Sequence, residues 1–159
     1  MKKKILALVA VFVLVSFTSA FARLDWMLDF DKAYAKAQKE NKPLMILFTG
    51  SDWCSWCIKL DKEILSKSEF DKYAKANLVL LYCDFPNQKK ISKSQTEHNK
   101  KLADEYGIRG YPTVVVLGKE KTQSTRLGYQ KGGPKGFIEK LDEFKTKNFP
   151  VPASTPSSK

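Results

Sequence analysis

Two cysteines separated by two residues, in Trp53-Cys54-Ser55-Trp56-Cys57, stand where the apolar run Pro43-Leu44-Met45-Ile46-Leu47-Phe48 gives way to a helical pattern. A chain that must carry a sulfur from the end of a buried strand onto the first turn of a helix has few folds open to it. The placement sets Cys54 beside unpaired backbone N–H groups and the positive end of the helix dipole, which favours thiolate over thiol. Cys54 is therefore the expected nucleophile, exposed, with Cys57 shielded behind it. At i+3, Cys57 shares the helical face and lies close enough to resolve a mixed disulfide, so the pair can cycle between dithiol and disulfide. The same spacing also ligates zinc, but a structural zinc site needs four protein ligands. Beyond the pair the chain offers only Cys83 and His98, not in a second close pair. No metal and no cofactor is expected; the redox group is the Cys54–Cys57 pair itself.

The N-terminus predicts where such chemistry would take place. Lys2, Lys3 and Lys4 precede an apolar stretch over residues 5–17, and Ala20 and Ala22 then form a small-x-small cleavage signal. Residues 1–22 read as a leader cut after Ala22, and the protein as periplasmic. The alternative is an uncleaved anchor, because an apolar span of about 18 residues just crosses a bilayer. What remains is enough for one domain, 23–148, and no second domain fits. Residues 149–159, rich in Pro and Ser, are expected to be a disordered tail.

Outside the cytosol disulfides form and persist, so a plain structural bridge is the competing reading of the cysteine pair. A bridge across two intervening residues closes too short a loop to constrain the unfolded chain much, which favours chemistry over stability. Cys83, inside Leu78-Val79-Leu80-Leu81-Tyr82-Cys83-Asp84, reads as a small buried hydrophobe with no part in turnover. The net charge of +11 would fall to +8 with the loss of the three leader lysines. The excess is scattered lysine without an arginine-rich cluster or a nucleic-acid motif, so nucleic acid is not an expected partner. Attraction to acidic substrates or an anionic membrane surface is the consequence that follows from it.

Hydrophobic periodicity and turn residues predict alternating helices and strands. A helix over 29–40 ends at Asn41-Lys42-Pro43 and is followed by a strand over 44–48. The helix carrying the cysteines runs from 54 to about 65, and a second, capped by Ser68, to about 76. A strand over 78–83, a polar loop over 86–94 and a helix over 95–106 stopped by Gly107 come next. Strands over 113–117 and about 123–127 form a hairpin around Gly118-Lys119-Glu120. A last helix over 134–145 places Phe137, Ile138, Leu141 and Phe144 on one face.

This order, together with Gly110-Tyr111-Pro112-Thr113 directly before the hairpin, resembles the thioredoxin family over roughly residues 29–145. The resemblance implies an α/β thioredoxin fold, a central mixed β-sheet flanked by α-helices. It also implies that Pro112 is cis and lies against the cysteine pair, turning the backbone of Tyr111 toward an extended substrate. An ordinary trans proline opening an edge strand is the alternative. The lead-in Phe48-Thr49-Gly50-Ser51-Asp52-Trp53-Cys54 is similar to that of exported members of the family. They are thiol:disulfide oxidoreductases, which implies cysteine-containing exported proteins as substrates and a DsbD-like membrane electron donor.

One departure is clear. Where thioredoxin keeps a buried aspartate on the strand before the pair, this chain has Leu47 or Phe48. Asp61, four residues after Cys57 and seven after Cys54, falls on the same helical face and matches an acidic position within the family. It is the candidate proton acceptor, with a solvated helix carboxylate as the alternative. Trp53, Trp56 and Tyr111 would give substrates an apolar rim. Ser55 and Trp56 carry no charge and the single histidine is distant, so the extra thiolate stabilisation of strong oxidants is missing. A reductant is therefore expected ahead of a DsbA-like oxidase or isomerase. A non-catalytic thioredoxin-like module binding partners beside Pro112 is the reading from another class. The chain shows no oligomerisation element, and a monomer is expected.

Overall fold

The structure, a computed structural model, describes residues 24–150. In chain order these form β1 (Trp26–Met27), α1 (Phe30–Glu40), β2 (Leu44–Thr49), α2 (Ser55–Leu60) continued by a π-helical turn (Asp61–Leu65), and α3 (Ser68–Asn77). They go on through β3 (Val79–Asp84), α4 (Lys93–Glu105), β4 (Thr113–Leu117), β5 (Ser124–Leu127) and α5 (Pro134–Asn148). The expected leader lies outside the described residues, as do residues 151–159 of the expected tail. Phe149, the first residue of that tail, is buried.

A strand covered on both faces needs apolar residues throughout rather than alternation. β2, buried at all six positions, is that strand. The sheet order is β1-β3-β2-β4-β5, with β3 parallel to β1 and β2, β4 antiparallel to β2, and β5 antiparallel to β4. Successive side chains point to opposite faces. Met45 and Leu47 meet Leu80, Val114 and Val116 beneath Leu60, Ile64, Phe70, Phe137 and Leu141. Leu44, Ile46 and Phe48 meet Leu81, Cys83, Val115 and Leu117 beneath Phe30, Ala33, Ala37 and Leu102. The mixed sheet flanked by helices that the family resemblance implies is the one that forms. Among the described residues no helix is long and apolar enough to cross a membrane.

Local chemistry sets the ends of the elements. Asp29 accepts the Lys32 N–H at 3.0 Å to start α1, and Asn41 takes the left-handed conformation (φ 52°) that stops it. Ser92 accepts the Gln95 N–H at 3.1 Å and starts α4 two residues earlier than expected. Ser68 is not the cap of α3 but its first residue; Lys67 stands at the cap with no side-chain bond. β1 was not expected at all, since a two-residue strand carries no periodicity to read. His98 accepts the Phe30 N–H at 3.4 Å, joining α4 to the start of α1.

Candidate active site

β2 delivers the chain to Gly50, whose carbonyl accepts N–H groups from Trp53 (3.3 Å) and Cys54 (2.9 Å) in a tight turn. Cys54 then adopts extended angles (φ −84°, ψ 106°) as the cap of α2, and its sulfur accepts the Cys57 N–H at 3.2 Å. The Gly50 N–H donates to Cys57 Sγ at 3.4 Å. Cys54 and Cys57 are joined as a disulfide, with Cα atoms 5.2 Å apart. Each sulfur thus has one backbone donor aimed at it, and N–H donors stabilise a thiolate more than a thiol. The expectation of an exposed Cys54 needs correction: it is 8% exposed and Cys57 3%, so both are buried and Cys54 is the more open.

The turn between β2 and α2 is held by a segment over thirty residues away, where β3 ends. The Phe85 N–H bonds the Thr49 carbonyl at 2.8 Å. Both carboxylate oxygens of Asp84 accept from Ser51, its N–H at 3.0 Å and its hydroxyl at 2.6 Å. Asp52 returns the contact, accepting N–H groups of Asn87, Gln88 and Lys89 at 2.9, 2.7 and 2.8 Å. These backbone donors, those of Asn87 and Lys89 foremost, hold the Asp52 carboxyl below its ordinary value. Behind them, buried Asn99 of α4 donates to the Asp84 carbonyl at 2.8 Å. Sequence reasoning did not single out Ser51, Asp52, Asp84 or Asn99 as site residues. Asp52 in Gly50-Ser51-Asp52 was the one visible signal, an Asx residue in a turn, but not what it would bind.

Two aromatic groups flank the disulfide. Trp53, 46% exposed, donates its indole N–H to the Phe85 carbonyl at 2.7 Å and meets Tyr111 edge-on at 6.0 Å, while Tyr111 stacks on Phe85 at 5.0 Å. Partial burial raises the Tyr111 hydroxyl pKa. Trp56, 53% exposed, packs on Tyr129 at 5.3 Å, and Lys59 Nζ lies over both rings at 5.2 and 5.1 Å. Tyr129 donates to Glu63 at 2.5 Å, which raises its pKa. The Tyr111–Pro112 peptide bond is cis. The sequence-derived rim of Trp53, Trp56 and Tyr111 therefore falls into two clusters, to which the structure adds Phe85 and Tyr129.

Behind the pair, a cleft of about 780 Å³ is lined by Thr49, Ser51, Cys57, Asp61, Tyr82 and Asp84 among others. Asp61 shares this cleft with Cys57 as the i+4 spacing implies, and its carboxylate accepts the Ser66 hydroxyl at 3.1 Å. Cys83 is fully buried opposite Phe48 on β2, and burial pushes its thiol up to about 12. Among the described residues no group of three or more His, Cys, Asp or Glu side chains is placed to hold a metal.

The thioredoxin-like domain family matches residues 30–145 of this chain. Disulfide bond reductase DsbH of Chlamydia pneumoniae is 34% identical over 122 residues, covering 77% of this chain and 73% of the relative. A solved structure of a DsbH oxidoreductase superposes with a TM-score of 0.72 at 32% identity, over 77% of this chain and 85% of that one. The reduced C-terminal domain of Neisseria meningitidis DsbD gives a TM-score of 0.51 at 26% identity, over 72% of this chain and 92% of that one.

Proposed function

The chain belongs to the thioredoxin-like family of disulfide oxidoreductases, and from that membership we propose that it reduces disulfides in exported cysteine-containing proteins of the periplasm, after loss of a leader ending at Ala22. The observation that carries the direction is the surroundings of the sulfurs. Among the described residues each accepts one backbone N–H, and the residues between them, Ser55 and Trp56, are uncharged. The nearest lysine of the helix, Lys59, lies over Trp56 and Tyr129. A strong oxidant holds its dithiol form down in energy by favouring the thiolate further than this. The reductase name of the chlamydial relative agrees with the same direction.

In the proposed cycle the Cys54 thiolate attacks one sulfur of a substrate disulfide, and the other substrate sulfur leaves as a thiolate that takes up a proton. Cys57, having given its proton to Asp61 through the shared cleft, attacks Cys54 Sγ. The Cys54–substrate bond breaks, the second substrate thiol departs, and two electrons have passed to the substrate. Trp53, Trp56 and Tyr111 supply the apolar contact surface. The Tyr111–Pro112 backbone pairs with the extended substrate strand. A DsbD-like membrane donor restores the dithiol, acting on a monomer.

The test is the equilibrium reduction potential of the Cys54–Cys57 couple against glutathione. A value near thioredoxin's, about −270 mV, is expected; one near DsbA's, about −120 mV, would make the protein an oxidant. Failure to turn over any disulfide would leave only a binding module.

A further inference from the structure

We propose that Asp84 is a positioning residue for the resolving half of the exchange: by holding Ser51 at two points it aims the adjoining Gly50 N–H at Cys57 Sγ. The inference rests on the proposed role of Cys57 as the resolving sulfur. The chain of contacts is short and closed. Asn99, 1% exposed on α4, fixes the Asp84 carbonyl at 2.8 Å, and the Asp84 side chain grips the Ser51 N–H at 3.0 Å and its hydroxyl at 2.6 Å. Gly50, the residue before Ser51, donates its N–H to Cys57 Sγ at 3.4 Å. The Gly50 N–H shares its peptide with the Thr49 carbonyl, which the Phe85 N–H holds at 2.8 Å, and Asp84 holds the peptide on the other side of Gly50 through the Ser51 N–H; buried Gly50, with no side chain of its own, is thus oriented from both sides by the end of β3. Lys89 Nζ, 3.4 Å from Ser51 Oγ, closes the other side of the clamp.

The consequence falls on one step. In resolution the Cys57 thiol gives up its proton and its sulfur attacks Cys54 Sγ, forming the Cys54–Cys57 bond and releasing the substrate sulfur as a thiolate, which is protonated from water. The thiolate at Cys57 is the charge that the Gly50 N–H meets. The first attack, by Cys54, draws on a different donor, the Cys57 N–H. Loosening the clamp should therefore slow resolution and spare attack.

The experiment uses the reduced full chain and oxidised glutathione as the probe. Acid-quenched intact mass follows the Cys54–glutathione mixed disulfide, and iodoacetamide follows the reactivity of Cys54. Asp84→Ala should lengthen the mixed disulfide's lifetime about tenfold, the rate equivalent of one charge-assisted hydrogen bond, with Cys54 alkylation within about twofold of wild type. Asp84→Asn, which keeps an acceptor for the Ser51 N–H and a partner for its hydroxyl, should restore the lifetime to within about threefold. Where Asp84→Ala does not fold, Ser51→Ala removes only the hydroxyl bond and should lengthen the lifetime about threefold. Wild-type resolution in folded Asp84→Ala, or equal slowing of both steps, overturns the proposal. Asn as slow as Ala would make Asp84 a charge or proton carrier instead, and overturns it too. Cys57→Ser must trap glutathione on Cys54; if Cys54→Ser traps it on Cys57 instead, the assignment of the two cysteines fails, whatever Asp84 does.

Discussion

Gly50→Ala should disturb the site through one side chain. Gly50 does not have a positive φ, so backbone strain is not at issue. A methyl built on it would lie 2.5 Å from Trp53 Cε2, 2.6 Å from Nε1 and 2.8 Å from Cζ2, closer than carbon contacts allow. The indole must swing out, and being 46% exposed it has room to do so. Two interactions leave with it: the 2.7 Å bond to the Phe85 carbonyl, about 1 kcal/mol net, and the edge-on contact with Tyr111, about 0.5–1.5 kcal/mol. The expected loss is about 1.5–2.5 kcal/mol, at the lower end because water can reach the Phe85 carbonyl once the indole moves. Urea unfolding with unchanged slope would read it as a lowered midpoint. The decisive arm is a double-mutant cycle with Trp53→Ala: without the indole nothing crowds the new methyl, so Gly50→Ala should then be neutral within about 0.5 kcal/mol. A cost as large in the Trp53→Ala background as in wild type would refute the steric argument.

Two further outcomes follow from burial and hydrogen bonding. Cys83, fully buried with its thiol pushed up to about 12, should resist iodoacetamide at pH 8 in native protein and label only on unfolding; Cys83→Ala should keep disulfide reduction at wild-type rate while lowering stability by about 1 kcal/mol. Fast native labelling would show that β3 opens. Asp52 has a lowered pKa in the folded protein, so the stability it lends is present above its unfolded value and is lost as pH falls through the folded one. Amide proton shifts of Asn87, Gln88 and Lys89 should titrate together with a midpoint below the ordinary aspartate value of 3.8, and Asp52→Asn should abolish that titration. A midpoint at or above 3.8 would contradict the three-donor geometry.

Periodicity and punctuation in the sequence decide the architecture. β2 and β3 are legible as unbroken apolar runs because helices cover both faces of the sheet. The position of Cys54 at the start of α2 follows from the strand-to-helix change around it, and Asp61 reaches the Cys57 cleft because i+4 is a property of any helical turn. Features too short or too irregular to leave a period were not legible: the two residues of β1, and the π-helical turn at Asp61–Leu65, which differs from α-helix only in which carbonyl each N–H selects. The support of the site was illegible for a different reason. Asp84 gripping Ser51, Asp52 gathering three N–H groups of 87–89, and Trp53 bonding Phe85 join residues over thirty positions apart. Nothing local in either partner encodes such a bond; it exists only because β2 and β3 lie in parallel register, Thr49 opposite Asp84, and so carry the turn before the cysteines and the loop after β3 out of the sheet at the same end of the strands.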